Sequence, residues 1–246
     1  MTTIHAIFFD LDGTLVDDNI NWRQAVSQTI STVSRSCPAV SPATLETAYH
    51  SIAAEVWERI KTGGPPTWGN MEAECVVREV WGCALASLGV TDQSIYDLAI
   101  SSYYEQLMDL GAPAYGDVLE CLDVIRNGCR LGIITNGSEA TQMAKLEGAR
   151  LSKYFQCVTT TDIGFGKPHC RVFEYALECL DVEPDNAAFV GDSLEWDIRG
   201  ANGAGIMSIW LNRDSVTRKR NDPLPDAEIH GLLELPSVVG VGESLN

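Results

Sequence analysis

An apolar run near the start of the chain limits the folds that the chain can adopt. Residues 4–9 read Ile-His-Ala-Ile-Phe-Phe, and the sequence Asp10-Leu11-Asp12-Gly13-Thr14 follows at once. A strand with apolar side chains on both faces is typical of a parallel sheet that is covered on both sides. Because Gly13 breaks the run, the pattern predicts a buried strand that ends at two acids.

From residue 111 onward, short apolar segments alternate with amphipathic ones. Strands are predicted over 131–135, 155–160, 187–190 and 206–211. Helices are predicted over 117–127, 138–147 and 194–202, with one more that opens at Pro168. This alternation predicts an α/β fold with a doubly wound, mostly parallel sheet.

Local signals refine two of these helices. Asp117 is expected to cap the helix 117–127, with Glu120 at its third position and Gly128 just past its end. Pro168 is expected in a first helical turn, where its missing N–H has no partner to lose.

The segment 19–110 has a different pattern, since it shows helical spacing and no strand-like alternation. Breaks occur at Cys37-Pro38, 62–66 and 89–92. Between the breaks, apolar residues recur every three or four positions, as at Leu45, Ala48, Ile52, Val56 and at Val76, Val80, Ala84, Leu88. We therefore predict a helical cap over residues 18–110, inserted into an α/β core formed by residues 1–17 and 111–246.

Charge and composition argue against several classes of protein. The formal net charge of −17 should repel nucleic-acid backbones, so no nucleic-acid partner is expected. No apolar run is long enough to span a bilayer, and no basic segment precedes an apolar one as in a signal peptide. We expect a cytoplasmic protein without a membrane partner, and the sequence leaves the oligomeric state open.

The eight cysteines show neither C-x-x-C pairs nor zinc spacing. Cys121, Cys170 and Cys179 lie within apolar helical patterns, where a free thiol behaves as a small hydrophobic group. We therefore expect reduced cysteines in the core rather than a disulfide framework.

Chemically active side chains follow four of the predicted strands. They are Asp10 and Asp12, Thr135 and Asn136, Lys167 after a short loop, and Asp192 and Asp197. Ligands of open α/β sheets bind just beyond the carboxyl ends of the strands, so these residues should meet in one crevice. Their carboxylates would repel one another, and a bound Mg²⁺ ion, which prefers one or two carboxylates with phosphate and water oxygens, would relieve that repulsion. For any single acid, a helix cap is the alternative.

Two further features suit a phosphate group. Thr135-Asn136-Gly137 ends a strand and opens a helix, where free N–H groups favour an anion and Gly137 permits close backbone approach. Lys167 lies in a turn that Pro168 restricts, and its ammonium group can neutralise phosphoryl charge. The alternative is that Lys167 is a solvated surface lysine.

These segments, in this order, resemble the four motifs of the haloacid dehalogenase (HAD) superfamily. The motifs are Asp10-Leu11-Asp12-Gly13-Thr14, Thr135-Asn136-Gly137, Lys167-Pro168 and the segment 191–197, Gly-Asp-Ser-Leu-Glu-Trp-Asp. The helical insertion looks like that of members with an α-helical cap on a HAD-like, Rossmann-type core. From Thr135 onward the sequence looks most like members that act on nucleoside monophosphates or acyl-sugar phosphates.

The resemblance implies a role for each acid. Asp10 would be the nucleophile on phosphorus and a Mg²⁺ ligand. Asp12 would be the general acid for the leaving alkoxide and then the base for water, with its backbone carbonyl on the metal. Asp192 would bind Mg²⁺ directly, and Asp197 would support the metal shell or Lys167.

The resemblance also implies the phosphate contacts. Thr135 and the backbone of Asn136 and Gly137 would hold phosphate oxygens, while Lys167 would span the nucleophile and the phosphate. The chain is thus expected to be a Mg²⁺-dependent phosphatase that hydrolyses small phosphorylated metabolites through an aspartyl-phosphate.

Other reactions on the same scaffold stay open. A 2-haloacid dehalogenase needs no metal and typically lacks the second acid, so Asp12 favours phosphoryl transfer. A phosphomutase uses both acids and would differ only in its cap. A phosphonate hydrolase would need a cap lysine, and Lys61 more resembles a solvated residue at a helix end. A non-catalytic phospho-binding module would be shorter or would lack an acid.

Substrate selection is expected from the cap, because a lid completes and dries a site. The candidate contacts are Trp22, Arg23, Trp68 and Arg78. Core packing of the tryptophans and solvation of the arginines are the alternatives. Asp17 and Asp18 are expected at a loop or helix start rather than on the metal.

Overall fold

The computed structural model describes residues 3–62, 73–110 and 113–241, which fall into two compact units. The first, here called the α/β unit, comprises Met1–Asp17 and Ala112–Asn246. The second, the helical unit, comprises Asp18–Gly111.

The α/β unit is built on a six-stranded sheet in which every neighbouring pair of strands is parallel. Its strands are β1 (Ala6–Phe9), β2 (Arg130–Ile134), β3 (Cys157–Thr159), β4 (Ala187–Gly191), β5 (Met207–Leu211) and β6 (Ala227–Ile229). The order across the sheet is β3-β2-β1-β4-β5-β6. The predicted doubly wound α/β fold is confirmed, and β6 is a strand that the sequence reading missed.

Apolar side chains alternate between the two faces of this sheet. Ile7 and Phe9 point into one core, and Ala6 and Phe8 point into the other. The helices of the unit are α5 (Val118–Ile125), α6 (Glu139–Gly148), α7 (Cys170–Leu180), α8 (Arg199–Gly203) and α9 (Leu235–Val239). α5, α6 and α9 contribute to the first core, and α7 and α8 contribute to the second. The near-continuous apolar run of β1 is explained by burial on both faces.

The direction in which strands are added reverses at β1. The chain places β2 and β3 on one side of β1, and β4, β5 and β6 on the other. In this register Phe9 lies beside both Ile133 and Val190, so the three central strands end at about the same level. A crevice at such a reversal is where open α/β sheets bind ligands.

The described part of the helical unit contains α1 (Asp18–Ser36), α2 (Pro42–Thr62), α3 (Ala73–Ser87) and α4 (Gln93–Leu110). α1 packs on α4 and α2 on α3, and Trp81 lies fully buried among them with its ring 4.5 Å from that of Tyr49. Leu45 and Val56 of α2 are buried, in agreement with the helical spacing in the sequence.

Two local predictions about helices need correction. Asp117 occupies the N-cap position of α5 as predicted, but its side chain makes no capping bond, because its carboxylate accepts hydrogen bonds from Arg213 and from Leu232 N–H instead. Pro168 does not lie in a helical turn: α7 begins at Cys170, and the His169 side chain caps it.

The cysteines are free thiols, but not all of them lie in the core. Cys121, Cys129 and Cys157 are buried, and burial raises the pKa of the Cys121 thiol to about 12. Cys179 is exposed and Cys170 is half-buried, which corrects the prediction for both. The reason is that α7 buries other side chains and not its two cysteines, namely Val172, Phe173, Ala176, Leu177 and Leu180.

Candidate active site

Asp10 lies at the centre of the crevice because it directly follows β1. Its N–H donates to Val190 O at 2.9 Å, so the backbone of Asp10 still runs beside β4. The side chain is only 10% exposed. A carboxylate is therefore held nearly dry at the point where the strand order reverses.

Gly13 allows the loop after β1 to pass closely beside Asp192. Its φ of +79° lies in the left-handed region, and a Cβ at this position would lie 2.9 Å from Asp192 Oδ2. A larger residue would be strained and would crowd that carboxylate. The glycine thus brings the Asp10–Thr14 loop and the end of β4 together.

Asp192 precedes a π-helical turn, Leu194–Ile198, and Asp197 lies within it, where the sequence predicted a regular helix. Both Asp197 N–H and Ile198 N–H donate to Ser193 O, at 2.9 and 3.2 Å. Asp197 Oδ2 in turn accepts from Ser193 N–H at 2.9 Å. Such single π turns are frequent at functional sites, and this one directs the Asp197 carboxylate inward.

Lys167 is buried between two carboxylates. Its Nζ lies 2.6 Å from Asp10 Oδ1 and 2.6 Å from Asp197 Oδ1, and its side chain is 3% exposed. Burial alone would lower the pKa of the ammonium group, but Asp10 and Asp197 outweigh burial and raise the pKa. Lys167 is therefore a fixed cation and not the solvated surface lysine considered as the alternative.

The pKa of Asp10 is raised well above its ordinary value. Burial is the main cause, and Asp197 and Asp192 add to it, while Lys167 acts in the opposite direction. Oxygens of Asp10, Asp192 and Asp197 all lie within 4.8 Å of one another. The structure thus brings the three predicted acids together, at a spacing that a cation could bridge.

The segment after β2 lies beside this cluster. Thr135 is buried, and its N–H donates to Thr159 O at 3.0 Å. The Asn136 side chain is turned towards the lysine loop: Nδ2 donates to Lys167 O at 3.0 Å and Oδ1 accepts from Lys167 N–H at 2.7 Å. The side chain of Asn136 therefore holds the Lys167 backbone, which the sequence did not indicate.

Two residues that we did not predict contact Asp12. Gln142 Nε2 donates to Asp12 Oδ2 at 3.0 Å, and Lys145 Nζ donates to Asp12 Oδ1 at 2.6 Å. Both residues lie on α6, three positions apart and hence on one face. The sequence did offer a signal for Lys145. This lysine lies in a helix that was predicted to begin directly after the suspected phosphate loop.

The cap candidates lie in the helical unit. The Trp22 ring contacts those of Tyr49 and His50, with centroids 6.3 and 5.8 Å apart, so it contributes to packing between α1 and α2. Arg23 and Arg78 are exposed. Trp68 lies outside the described residues.

A model of the haloacid dehalogenase-like hydrolase family matches residues 4–205. This match covers most of the chain and includes all the site residues described above. The chain belongs to the haloacid dehalogenase-like hydrolases, and the recognition of that superfamily from its four motifs is confirmed.

Two relatives of the chain are named as phosphatases. The chain is 32% identical over 195 residues to phosphoserine phosphatase of Thermus thermophilus, a match that covers 77% of this chain and 75% of the relative. It is 26% identical to human N-acylneuraminate-9-phosphatase, over 97% of this chain and 95% of the relative. The predicted class, a hydrolase of phosphoric monoesters, is confirmed.

A solved structure extends the comparison to a different reaction. The 2-haloacid dehalogenase of Pseudomonas syringae pv. Tomato DC3000 is 28% identical, with a TM-score of 0.71 and coverage of 97% of this chain and 99% of that one. The fold is thus shared with enzymes that act on carbon–halogen bonds. Within the described ranges, every helix is too short or too polar to cross a membrane.

Proposed function

We propose that this chain is a Mg²⁺-dependent phosphatase that hydrolyses small phosphate monoesters through an aspartyl-phosphate on Asp10. The observation that carries the proposal is the convergence of Asp10, Asp192 and Asp197 within 4.8 Å around the buried Lys167. Catalysis of phosphoryl transfer consists largely of positioning and charge compensation, and this cluster offers both.

The donor set of the cluster suits one divalent cation. We propose that Asp10, Asp192 and the backbone carbonyl of Asp12 would hold the ion, while Asp197, which accepts from Lys167 and from Ser193 N–H, would support the lysine. Mg²⁺ typically takes one or two carboxylates and completes its shell with phosphate and water oxygens. When bound, it would neutralise charge on the transferred phosphoryl group.

Asp10 would attack phosphorus with the carboxylate oxygen that does not contact Lys167. A P–O bond to Asp10 forms while the ester P–O bond breaks, and Asp12 donates a proton to the departing alkoxide. The Lys167 ammonium, held by Asp10 and Asp197, stabilises the negative charge of the phosphoryl oxygens. Thr135 and the backbone at Asn136 and Gly137 would receive those oxygens.

Water would complete the reaction from the side that the alcohol leaves. Asp12, now a carboxylate, takes a proton from this water, whose oxygen attacks phosphorus. The bond between phosphorus and Asp10 breaks, inorganic phosphate departs, and both aspartates return to their initial states. Splitting the hydrolysis in this way replaces one difficult step with two easier ones.

Dehalogenation is the second candidate, because a dehalogenase shares the fold. Asp12 favours the phosphatase, since displacement of a halide ion requires no proton donor. The named relatives phosphoserine phosphatase and N-acylneuraminate-9-phosphatase support small metabolites as substrates. We include nucleoside monophosphates and sugar phosphates in this class and propose a cytoplasmic location.

We further propose that residues 18–110, which belong to the helical unit, form a cap that selects among these substrates. Arg23 and Arg78 are exposed cations that suit anionic or hydroxylated metabolites. Trp22 and Trp68 stay candidates for contact with the organic group. Substituting each arginine by methionine should change the ranking of substrates if the proposal is correct.

The test of the proposed function is phosphate release from a panel of metabolites, with Mg²⁺ and with a chelator. The panel contains nucleoside monophosphates, sugar phosphates, phosphoserine and, for halide release, 2-haloacids. Phosphate release that requires Mg²⁺ supports the proposal. Halide release without phosphate release, or transfer of phosphate between hydroxyl groups of a sugar, would contradict it.

A further inference from the structure

Gln142 and Lys145 hold the Asp12 carboxylate from one face of α6. Each of the two Asp12 oxygens has its own donor, Gln142 Nε2 on Oδ2 at 3.0 Å and Lys145 Nζ on Oδ1 at 2.6 Å. Two donors on different oxygens restrict both the position of the carboxylate and its rotation about the Cβ–Cγ bond. We call the pair Gln142 and Lys145 the Asp12 clamp.

The Gln142 side of the clamp is buried and closely packed. Its side chain is buried, and Nε2 also donates to Thr135 Oγ1 at 2.5 Å. Gln142 packs directly against Gly137, where a Cβ would lie 2.9 Å from Gln142 Cδ. Because Thr135 accepts from Gln142, the proton of its hydroxyl is left for another acceptor, such as a phosphate oxygen.

The Lys145 side lies nearer the surface and serves a different acid from Lys167. The Lys145 side chain is 18% exposed and that of Asp12 is 24% exposed, whereas Lys167 is 3% exposed. Lys167 contacts Asp10 and Asp197, so the two lysines contact different acids. This arrangement leaves Asp12 with a cation of its own.

We propose that Gln142 and Lys145 are positioning residues that orient Asp12 for proton transfer. The inference rests on the proposed function, in which Asp12 protonates the leaving alkoxide and later accepts a proton from water. Proton transfer requires hydrogen-bond distance and alignment, so a carboxylate that can rotate or swing away transfers less efficiently. The clamp raises the rate by acting on Asp12.

The test compares two esters whose leaving groups differ in their need for a proton. p-Nitrophenolate leaves as a weak base, whereas the alkoxide of glycerol phosphate must be protonated. With saturating Mg²⁺, Lys145→Met should lower kcat/KM for glycerol phosphate by about 10- to 100-fold and for p-nitrophenyl phosphate by less than about threefold. Lys145→Arg, which keeps a cation, should recover part of the loss.

Gln142→Leu should discriminate between the esters in the same direction. The double variant Gln142→Leu/Lys145→Met should lose less kcat/KM for glycerol phosphate than the product of the two single losses, since both residues act on the same carboxylate. The matched control is Lys219→Met, which removes an exposed lysine charge from the loop after β5 and should leave both esters unaffected.

Two kinetic outcomes would overturn the proposal. An equal loss for both esters would mean that Lys145 contacts the phosphate group, and unchanged kcat/KM values would mean that the clamp has no role. If the wild type hydrolyses no ester, the proposed function fails, and crystal structures of the wild type, Lys145→Met and Gln142→Leu decide the clamp. A changed Asp12 rotamer would support it, and an unchanged one would refute it.

Discussion

Lys167 has two acidic neighbours at equal distance, and that arrangement determines how the substitution of one acid affects stability. Its Nζ lies 2.6 Å from both Asp10 Oδ1 and Asp197 Oδ1. If the buried Lys167 ammonium lost both carboxylate partners, the folded protein would be strongly destabilised. Loss of one partner still leaves an ion pair with the other. Substitution of Asp10 is therefore a test of chemistry rather than of folding.

We expect Asp10→Asn to lower turnover by about 10³-fold or more, while the protein stays folded. An amide oxygen is a poor nucleophile, and Asp197 still pairs with Lys167. Phosphate release and thermal unfolding are the two measurements. Asp185→Asn, an exposed change of the same type, is the control. Activity near that of the wild type would end the assignment of Asp10 as nucleophile.

Asn136 permits a second test at the scale of one residue. Its side chain satisfies both the N–H and the carbonyl of Lys167, so Asn136→Ala leaves two backbone groups without these partners. We expect kcat to fall about 10-fold or more, because the Lys167 loop loses its position. The free energy of unfolding should fall by about 1–2 kcal/mol.

The measurements for Asn136→Ala are steady-state kinetics and denaturant unfolding. If Asn136 acted only on phosphate through its backbone, removing its side chain would leave both kcat and stability unchanged. That result would refute a positioning role for the side chain.

Several elements of the α/β unit meet at Arg213, which follows β5. Its Nη1 and Nη2 donate to the two oxygens of Asp117 at 2.9 and 3.0 Å, and Nη2 also donates to Thr14 O at 3.1 Å. The guanidinium lies 4.2 Å above the Tyr115 ring, and Asp117 Oδ2 accepts from Leu232 N–H at 2.8 Å. The loop after β1, the start of α5 and the C-terminal segment are thus connected.

The ion pair at Asp117 makes stability depend on pH. Burial by itself raises the pKa of the Asp117 carboxyl, but Arg213 and the Leu232 N–H outweigh burial and hold the pKa below its ordinary value of 3.8. A carboxyl with a lowered pKa in the folded state stabilises the protein above its unfolded-state pKa, and that stabilisation is lost as the pH falls through the folded-state pKa.

We therefore expect Asp117→Asn to lower the free energy of unfolding by about 1–3 kcal/mol at pH 7. The difference from the wild type should shrink as the pH falls below about 4. Urea unfolding of both proteins between pH 3 and pH 7 measures this difference. A difference independent of pH would show that the ionised carboxylate of Asp117 is not the stabilising group.

The charge of the whole molecule adds to that of the site. The chain has a formal net charge of −17, and the site places four aspartates beside Lys145 and Lys167. When all six groups are ionised, the cluster has an excess of negative charge that one divalent cation would balance. Self-repulsion destabilises a compact acidic protein, so both salt and a bound cation should stabilise it.

We expect Mg²⁺ at about 100 times its Kd to raise the free energy of unfolding by about 2.7 kcal/mol. NaCl at the same ionic strength should reproduce only the part that is due to screening. Asp192→Ala should remove the Mg²⁺-specific part and leave the NaCl effect. Thermal unfolding of the wild type and the variant in each salt is the measurement, and equal Mg²⁺ effects in the two proteins would contradict the assignment of Asp192 to the metal.

Local sequence determined the architecture and most of the site. The apolar run before Asp10, the break at Gly13 and the strand–turn–helix at Thr135-Asn136-Gly137 each depend on a few neighbouring residues. Burial on both faces demands a parallel sheet, and a parallel sheet brings strand ends together. The convergence of Asp10, Asp192 and Asp197 was for this reason predictable from the order of strands and acids.

Tertiary structure alone decided which polar side chains pair with one another. Lys145 meets Asp12 across 133 positions of the chain, and Arg213 meets Asp117 across 96. Local patterns predict whether a residue is buried and in which element it lies. They do not determine the rotation of α6 against the sheet or the path of the chain after β5. Partners such as Lys145 and Arg213 therefore become visible only when distant elements are packed together.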